Sequence, residues 1–272
     1  MTIEFIILFI FMFIFGSVFG SFACCQAWRI HEKSEGKKLG SRSVCLKCNT
    51  QLKWYDNLPI ISWLMLGGKC RKCKAKIGKA EILSEIGLGL AFVGVAYATT
   101  NHYFSVEHGY LNFINLPFYP DLLLPILFLI MLVPFWVLLV YDAKWGELPV
   151  LPMILEIVLA LIYQFINHGD WLQIGLSVSI LSGIYYLLFF FSKEKWVGGG
   201  DWILCTSIAI ILGHFELAFV ELFLSNFMAS FAALPGATKK NKKQIPFGPF
   251  LIIALIIIYT FKSFLSNFLL VL

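Results

Sequence analysis

PDLLLPILFLIMLVPFWVLLVYD, residues 120–142, runs apolar for the length of a bilayer crossing and then ends on a carboxylate. About 20 apolar residues in a helix span the roughly 30 Å hydrocarbon core, so Pro120 to Tyr141 reads as one membrane span. Asp142 is expensive there, because an ionisable side chain at the centre of a membrane helix costs roughly 2.5–3.5 kcal/mol on insertion scales. A second acid, Asp201, opens another apolar run after Trp196-Val197-Gly198-Gly199-Gly200. Ionisable residues in such places are functional-site candidates by default, and two of them are able to share one proton and one water.

Outward from that run, the 272-residue chain is 59% hydrophobic and 14% charged, and its apolar residues come in long stretches without a polar face. That composition predicts an all-α polytopic membrane protein. Runs near 3–23, 82–99, 121–141, 149–167, 172–192, 202–213, 215–234 and 249–271 predict about eight transmembrane helices. The stretch 202–234 is too long for one untilted span, and Gly213-His214 is the expected break. The first run lacks the basic n-region and small-residue cleavage site of a signal peptide, so it counts as a span.

Charge sets the orientation. Of 21 Lys and Arg residues, 13 lie between Arg29 and Lys79; the others outside spans are Lys144, Lys193, Lys195 and the group Lys239, Lys240, Lys242 and Lys243. With eight spans these segments share one side, and an excess of cations marks the cytoplasmic side. Lys262, in the last run, is expected to snorkel toward the outer interface. The positive charge is read as topology and attraction to anionic membrane lipid, with no nucleic-acid partner.

The segment of about 50 residues between the first two spans is too small to bury much of a core and needs a staple. Cys45-Leu46-Lys47-Cys48 and Cys70-Arg71-Lys72-Cys73 supply one: paired C-x2-C knuckles at this spacing suit tetrahedral zinc. Two disulfides and a redox C-x2-C are the alternatives; a reducing cytoplasm opposes the first and duplication of the motif opposes the second. Four thiolates fill the tetrahedron, so the metal is expected to be structural. Cys24, Cys25 and Cys205 lie in apolar runs as packing residues. Between the knuckles, Trp54 to Trp63 puts aromatic and apolar groups on a cationic loop, suited either to the membrane interface or to a substrate helix.

Together these features resemble the type IV prepilin peptidase family, membrane aspartic proteases of the G-x-G-D type that process pilins and the pseudopilins of type II secretion. The resemblance rests on Phe19-Gly20-Ser21-Phe22, the two Cys pairs, Glu85, Tyr141-Asp142, Gly198-Gly199-Gly200-Asp201 and Pro246-Phe247-Gly248-Pro249-Phe250, in that order. It implies a first transmembrane helix over 1–28, a cytoplasmic zinc-binding domain over 29–81 and a transmembrane aspartic protease domain over 82–272. It also implies a multi-pass protein of the bacterial cytoplasmic membrane, active on its cytoplasmic face, with prepilins or pseudopilins as partners. A second activity follows from the family: methylation of the new pilin N-terminus from S-adenosylmethionine, with Glu85 as the candidate there. The chain departs from the family pattern at Ala23, Leu46, Ala80 and Ile82, all in the part associated with methyl transfer.

The implied chemistry suits Asp142 and Asp201. Peptide hydrolysis by paired carboxylates needs one ionised to take a proton from water and one protonated to polarise the scissile carbonyl; close like charges suppress the second ionisation. Gly198 and Gly200 in the catalytic loop are expected to open dihedrals closed to other residues and to admit a neighbouring backbone. Read singly, Asp142 is also a carboxylate leaving the membrane beside Lys144, and Asp201 is also a helix N-cap. A helix from Asp201 to Gly213 is about 20 Å long, which leaves Asp201 within the cytoplasmic half of the bilayer under a polar cavity. Glu156, Glu216 and Glu221 are expected at the outer interface or against a helix partner. His31 and His214 lack metal-ligand spacing. A proton-coupled transporter and a zinc-stabilised scaffold without activity are the competing classes; the first lacks a visible inverted repeat.

Overall fold

The computed structural model describes residues 3–37, 40, 42–106, 120–234, 245–262 and 264–265. The cations Lys239, Lys240, Lys242 and Lys243, the side chain of Asp121 and the end of the expected 249–271 span lie outside them. The chain divides into two compact units, Met1–Ala96 and Tyr97–Leu272. Among the described residues, all regular structure is helical apart from two isolated β-bridges.

Unit 1 holds α1 (Ile3–Ser34), a 3-10 turn (Trp54–Asn57), the short α2 (Ile61–Met65) and the first part of α3 (Lys79–Val106). Helix α1 continues past the expected end of its span into the basic segment. The approach of α1 to α3 is set by small residues. A Cβ at Gly16 would stand 2.7 Å from the Leu88 carbonyl oxygen, and one at Gly20 would stand 2.5 Å from that of Ser84. Gly16-x3-Gly20 is thus a close-packing stripe of the kind that lets membrane helices meet backbone to backbone. The Ser84 hydroxyl donates to the Gly20 carbonyl at 2.8 Å, and Phe15 and Phe19 bring their rings to 6.2 and 6.1 Å from that of Phe92. Lipid is as apolar as these side chains, so contact and interhelical hydrogen bonding hold the pair. Gly20→Leu forces the helices apart; thermal unfolding in detergent should show a loss of about 1–3 kcal/mol, the usual cost of overpacking.

Unit 2 contains α4 (Pro120–Trp145), α5 (Val150–Ile166), α6 (Trp171–Ser192), α7 (Gly199–Leu212), α8 (Phe215–Ala233) and α9 (Gly248–Thr260). Helix α4 carries Pro125 and Pro134 within it. Each lacks an N–H to donate, a defect that neighbouring groups offset in packed membrane helices. The break between α7 and α8 falls where the sequence places it: Gly213 caps α7 in the left-handed region at φ 70°, and His214 is the N-cap of α8.

Helix α7 is the best enclosed element, packed against α5, α6, α8 and α9. Polar side chains stitch it in place. Ser182 bonds to the Trp202 carbonyl at 3.0 Å and to the Thr206 hydroxyl at 2.8 Å, and Ser177 donates to the Ala209 carbonyl at 2.9 Å. From α5, the Gln164 amide donates to the carbonyl oxygens of Ile210 and Ile211, two of those that the end of α7 would leave unsatisfied.

Five described helices are long and apolar enough to cross a membrane: Ile3–Ser34, Lys79–Thr100, Leu122–Trp145, Trp171–Ser192 and Phe215–Ala233. Helices α5, α7 and α9 are apolar but shorter. The helix read over 249–271 reaches Thr260 before its C-cap at Phe261, and Lys262 follows, half-buried.

Candidate active site

Asp142 lies in the last turn of α4 and Asp201 in the first turn of α7, and they are 4% and 8% exposed. Both belong to unit 2, 59 positions apart in the sequence.

Both carboxylates are held in the same manner. Asp142 Oδ2 accepts the backbone N–H of Gly248 at 2.8 Å, and Asp201 Oδ2 accepts that of Gly198 at 2.9 Å. Gly248 is the first residue of α9 and Gly198 the N-cap of α7, so both donors sit at a helix start, where N–H groups lack intrahelical partners. Asp142 is therefore a buried side chain fixed by another helix, more than a carboxylate leaving the membrane beside Lys144. Asp201 is the third residue of α7 and reaches back to the N-cap, a correction to its reading as the N-cap itself.

Two of the glycines permit close packing. None of Gly198, Gly199 and Gly200 has positive φ, so the expected special dihedrals are not used. A Cβ at Gly200 would stand 2.6 Å from Leu148 Cβ, and one at Gly199 would stand 3.3 Å from the Phe189 ring. The neighbour admitted at Gly200 is the side chain of Leu148, between α4 and α5. Gly248 is equally confined: a Cβ there would lie 2.8 Å from Asp142 Oδ2. The part that Gly248 plays toward Asp142 escapes a sequence reading, although the residue lies in the Pro246–Phe250 motif. Its signal was a glycine placed just before a proline at a helix start.

The cysteines of unit 1 converge. The Sγ atoms of Cys45, Cys48, Cys70 and Cys73 all lie within 4.8 Å of one another, with Cys45 and Cys73 3.8 Å apart. A tetrahedron with Zn–S bonds of about 2.3 Å has edges of about 3.8 Å, so the donor set fits zinc. The two knuckles share one construction. Cys45 N–H donates to the Thr50 carbonyl at 2.9 Å and Cys70 N–H to that of Ala75 at 2.8 Å. Asn49 and Lys74, each four residues after the first cysteine of its knuckle, turn the chain at φ 51° and 57°. Bridges Val44–Gln51 and Lys69–Lys76 close the two loops. The thiols differ in acidity. The Thr50 hydroxyl and backbone N–H bring Cys48 down to about 6. Although the Ala75 backbone favours its thiolate, burial and neighbouring thiols push Cys73 up to about 11.

Glu85, also in unit 1, is buried in the second turn of α3. Its Oε2 accepts the N–H of Ile60 at 2.7 Å, and Ser21 is a further side-chain partner. Of the other acids, Glu156 and Glu221 are fully buried within unit 2, facing helix neighbours, whereas Glu216 is half-exposed in the first turn of α8. His31 lies in the last turn of α1, and His214 is exposed.

The sequence is similar to those of known proteins. The model of the bacterial peptidase A24 N-terminal domain matches residues 14–99, the stretch carrying the cysteines and Glu85. A prepilin leader peptidase/N-methyltransferase of Vibrio cholerae serotype O1 is 27% identical over 80% of this chain and 81% of its own length. One of Dichelobacter nodosus is 30% identical over 78% of this chain and 68% of its own. A type 4 prepilin-like proteins leader peptide-processing enzyme of Escherichia coli O78:H11 is 48% identical over a shorter stretch, 19% of each chain. No solved structure gives a significant match. A multi-pass membrane protein with these relatives over most of its length belongs to the prepilin leader peptidase/N-methyltransferase family.

Proposed function

We propose that this chain is an integral membrane endopeptidase that removes the leader of prepilins or prepilin-like proteins, and that it methylates the N-terminus so exposed. What supports the reading is that Asp142 and Asp201, both buried carboxylates of unit 2, are each held by a glycine N–H at the start of a helix. In this reading all eight apolar helices cross the bacterial cytoplasmic membrane, with Lys144 and the Arg29–Lys79 segment on the cytoplasmic side. The helix over 1–28, the zinc-binding domain over 29–81 and the protease domain over 82–272 are its functional parts.

One carboxylate of the pair, ionised, takes a proton from water as the water oxygen attacks the scissile carbonyl. The other, protonated, donates a hydrogen bond to that carbonyl oxygen as negative charge develops on it. With Oδ2 of each engaged by a backbone N–H, the Oδ1 atoms are the ones assigned to water and substrate. The proton taken from water then passes to the departing amine. Gly248 and Gly198 keep the carboxylates from turning away, and Gly200 lets α7 sit against Leu148. Gly248→Ala should push Asp142 aside and lower the cleavage rate about 10- to 100-fold, with helix content unchanged by circular dichroism.

Zinc held by Cys45, Cys48, Cys70 and Cys73 stabilises the loop and takes no part in hydrolysis. Bound S-adenosylmethionine supplies an electrophilic methyl group. Glu85 is assigned to hold an ammonium at the head of α3, whether the substrate's new N-terminus or the amino group of the cofactor. A buried carboxylate already fixed by Ile60 suits that task. Glu85→Gln should reduce methylation more than cleavage, and equal loss of both would place it in substrate binding.

The test is incubation of the purified protein in detergent with a prepilin and S-adenosylmethionine, followed by mass spectrometry. Loss of the leader together with added methyl mass is expected. A prepilin of unchanged mass would overturn the peptidase reading, and complete cleavage without methyl mass would leave a protease only.

A further inference from the structure

The loop between the knuckles carries an apolar surface that neither the carboxylate pair nor the cysteine cluster uses. Trp54 is 77% exposed, Ile61 55%, Leu64 62% and Met65 80%. Ile61, Leu64 and Met65 are related as i, i+3 and i+4, so they share one side of α2.

Glu85 sets the depth of that face. Its carboxylate accepts the N–H of Ile60, the N-cap of α2, and it is the seventh residue of α3, about 9 Å along a helix that is long and apolar enough to cross a membrane. The start of α2 is thereby drawn to the level of the second turn of a span. The connection is strained. Ile60 has φ 61° and ψ −51°, and the Ile61 N–H returns to the Pro59 carbonyl at 2.5 Å, a positive-φ γ-turn that is rare, here centred on a β-branched residue. Such a conformation persists where the surroundings over-determine it, and the bond to buried Glu85 is one such determinant.

Exposed apolar side chains at that depth meet either lipid or another protein, and charge favours lipid. Lys53, Lys69, Arg71, Lys72, Lys74 and Lys76 are all exposed on the same loop. Cations flanking Trp and aliphatic side chains are the composition of a segment lying in the headgroup boundary of an anionic bilayer. The surface is also tied to the cysteine cluster. Arg71, next to Cys70, pairs with Asp56 at 2.8 Å and lies 5.1 Å over the Tyr55 ring. We propose that the 3-10 turn and α2 form an interfacial anchor, placing Trp54, Ile61, Leu64 and Met65 in the headgroup boundary of an anionic bilayer at a depth fixed by the Ile60–Glu85 hydrogen bond. This rests on α1 and α3 crossing the membrane, and not on either enzymatic activity.

The test places a benzophenone photo-crosslinking side chain at Leu64 and, separately, at Met65 in the full chain. The protein is reconstituted into vesicles of phosphatidylethanolamine and phosphatidylglycerol, with and without a purified prepilin. Leu90, 58% exposed on α3, is the lipid-facing reference, and Glu35, beyond the end of α1, is the aqueous one. Lipid adducts at Leu64 and Met65 should exceed those at Glu35 several-fold. They should fall when phosphatidylcholine replaces phosphatidylglycerol, while those at Leu90 do not. Adducts to the prepilin or to a second copy of the chain in place of lipid would overturn the proposal, as would adducts no more frequent than at Glu35 or indifferent to lipid charge. Absence of lipid adducts at Leu90 would show that the membrane reading of α3 itself had failed, and the anchor with it.

Discussion

Asp142→Asn and Asp201→Asn should each abolish cleavage of a purified prepilin, with the double variant no worse than either single one. Asparagine keeps the shape of the side chain and still accepts a hydrogen bond, so the contacts to Gly248 and Gly198 survive. What is lost is exchange of a proton. General acid and base contributions of about 10²–10⁴-fold are typical, and groups that act as a unit are strongly non-additive, so each single variant should lose at least about 10³-fold. Asp170→Asn provides the contrast. That side chain caps α6 by accepting the Leu172 N–H at 2.9 Å, a contact asparagine reproduces, and cleavage should be unaffected. Substantial cleavage by either Asp142→Asn or Asp201→Asn, in protein that inserts and purifies normally, would sink the assignment.

Metal analysis of anaerobically prepared protein should return one zinc per chain, and Cys70→Ser should return none. Cys70 is the buried member of the cluster, so its loss removes a ligand from the enclosed side of the site. Structural zinc supplies about 10–16 kcal/mol of binding free energy in small domains, which is then folding free energy. The knuckle segment has almost no core of its own to offset that loss. Limited proteolysis should cut the Cys70→Ser protein between residues 42 and 78 much faster than the parent, and a chelator should have the same effect on the parent. On the proposed structural role of the metal, cleavage lost in the variant should recover on stabilising the loop by other means, such as added anionic lipid. Intact protein that holds no zinc, or native thiols that alkylate freely, would refute the cluster.

Much of the architecture was legible because membrane insertion is decided by local composition. A run such as Pro120–Tyr141 has to satisfy its own backbone hydrogen bonds, so its hydropathy and length already specify a helix. The break at Gly213-His214 was legible for the same reason: a left-handed cap calls for glycine at one position. The convergence of the cysteine knuckles was legible from spacing, since two residues between cysteines bring both sulfurs to one side of a turn. The extents were less so. Helix α1 runs on to Ser34 because helical propensity does not stop where apolar composition does.

Sequence by itself determined that two acids stand at the ends of apolar runs and that four cysteines stand in two pairs. Tertiary structure alone decided what meets them. The N–H of Gly248, 106 positions along the chain, comes to Asp142, and that of Ile60 comes to Glu85. Glu156 and Glu221 share the apolar surroundings of residues that face lipid, yet packing encloses them within unit 2. Glycines at 198–200 suggested unusual backbone angles, but none has positive φ, and Gly199 and Gly200 leave room for Phe189 and Leu148. The physical reason is one of range. Helix formation and insertion depend on neighbours within a few residues, whereas the partner of a buried carboxylate is settled by which helix ends the packing brings together, and no local pattern encodes that.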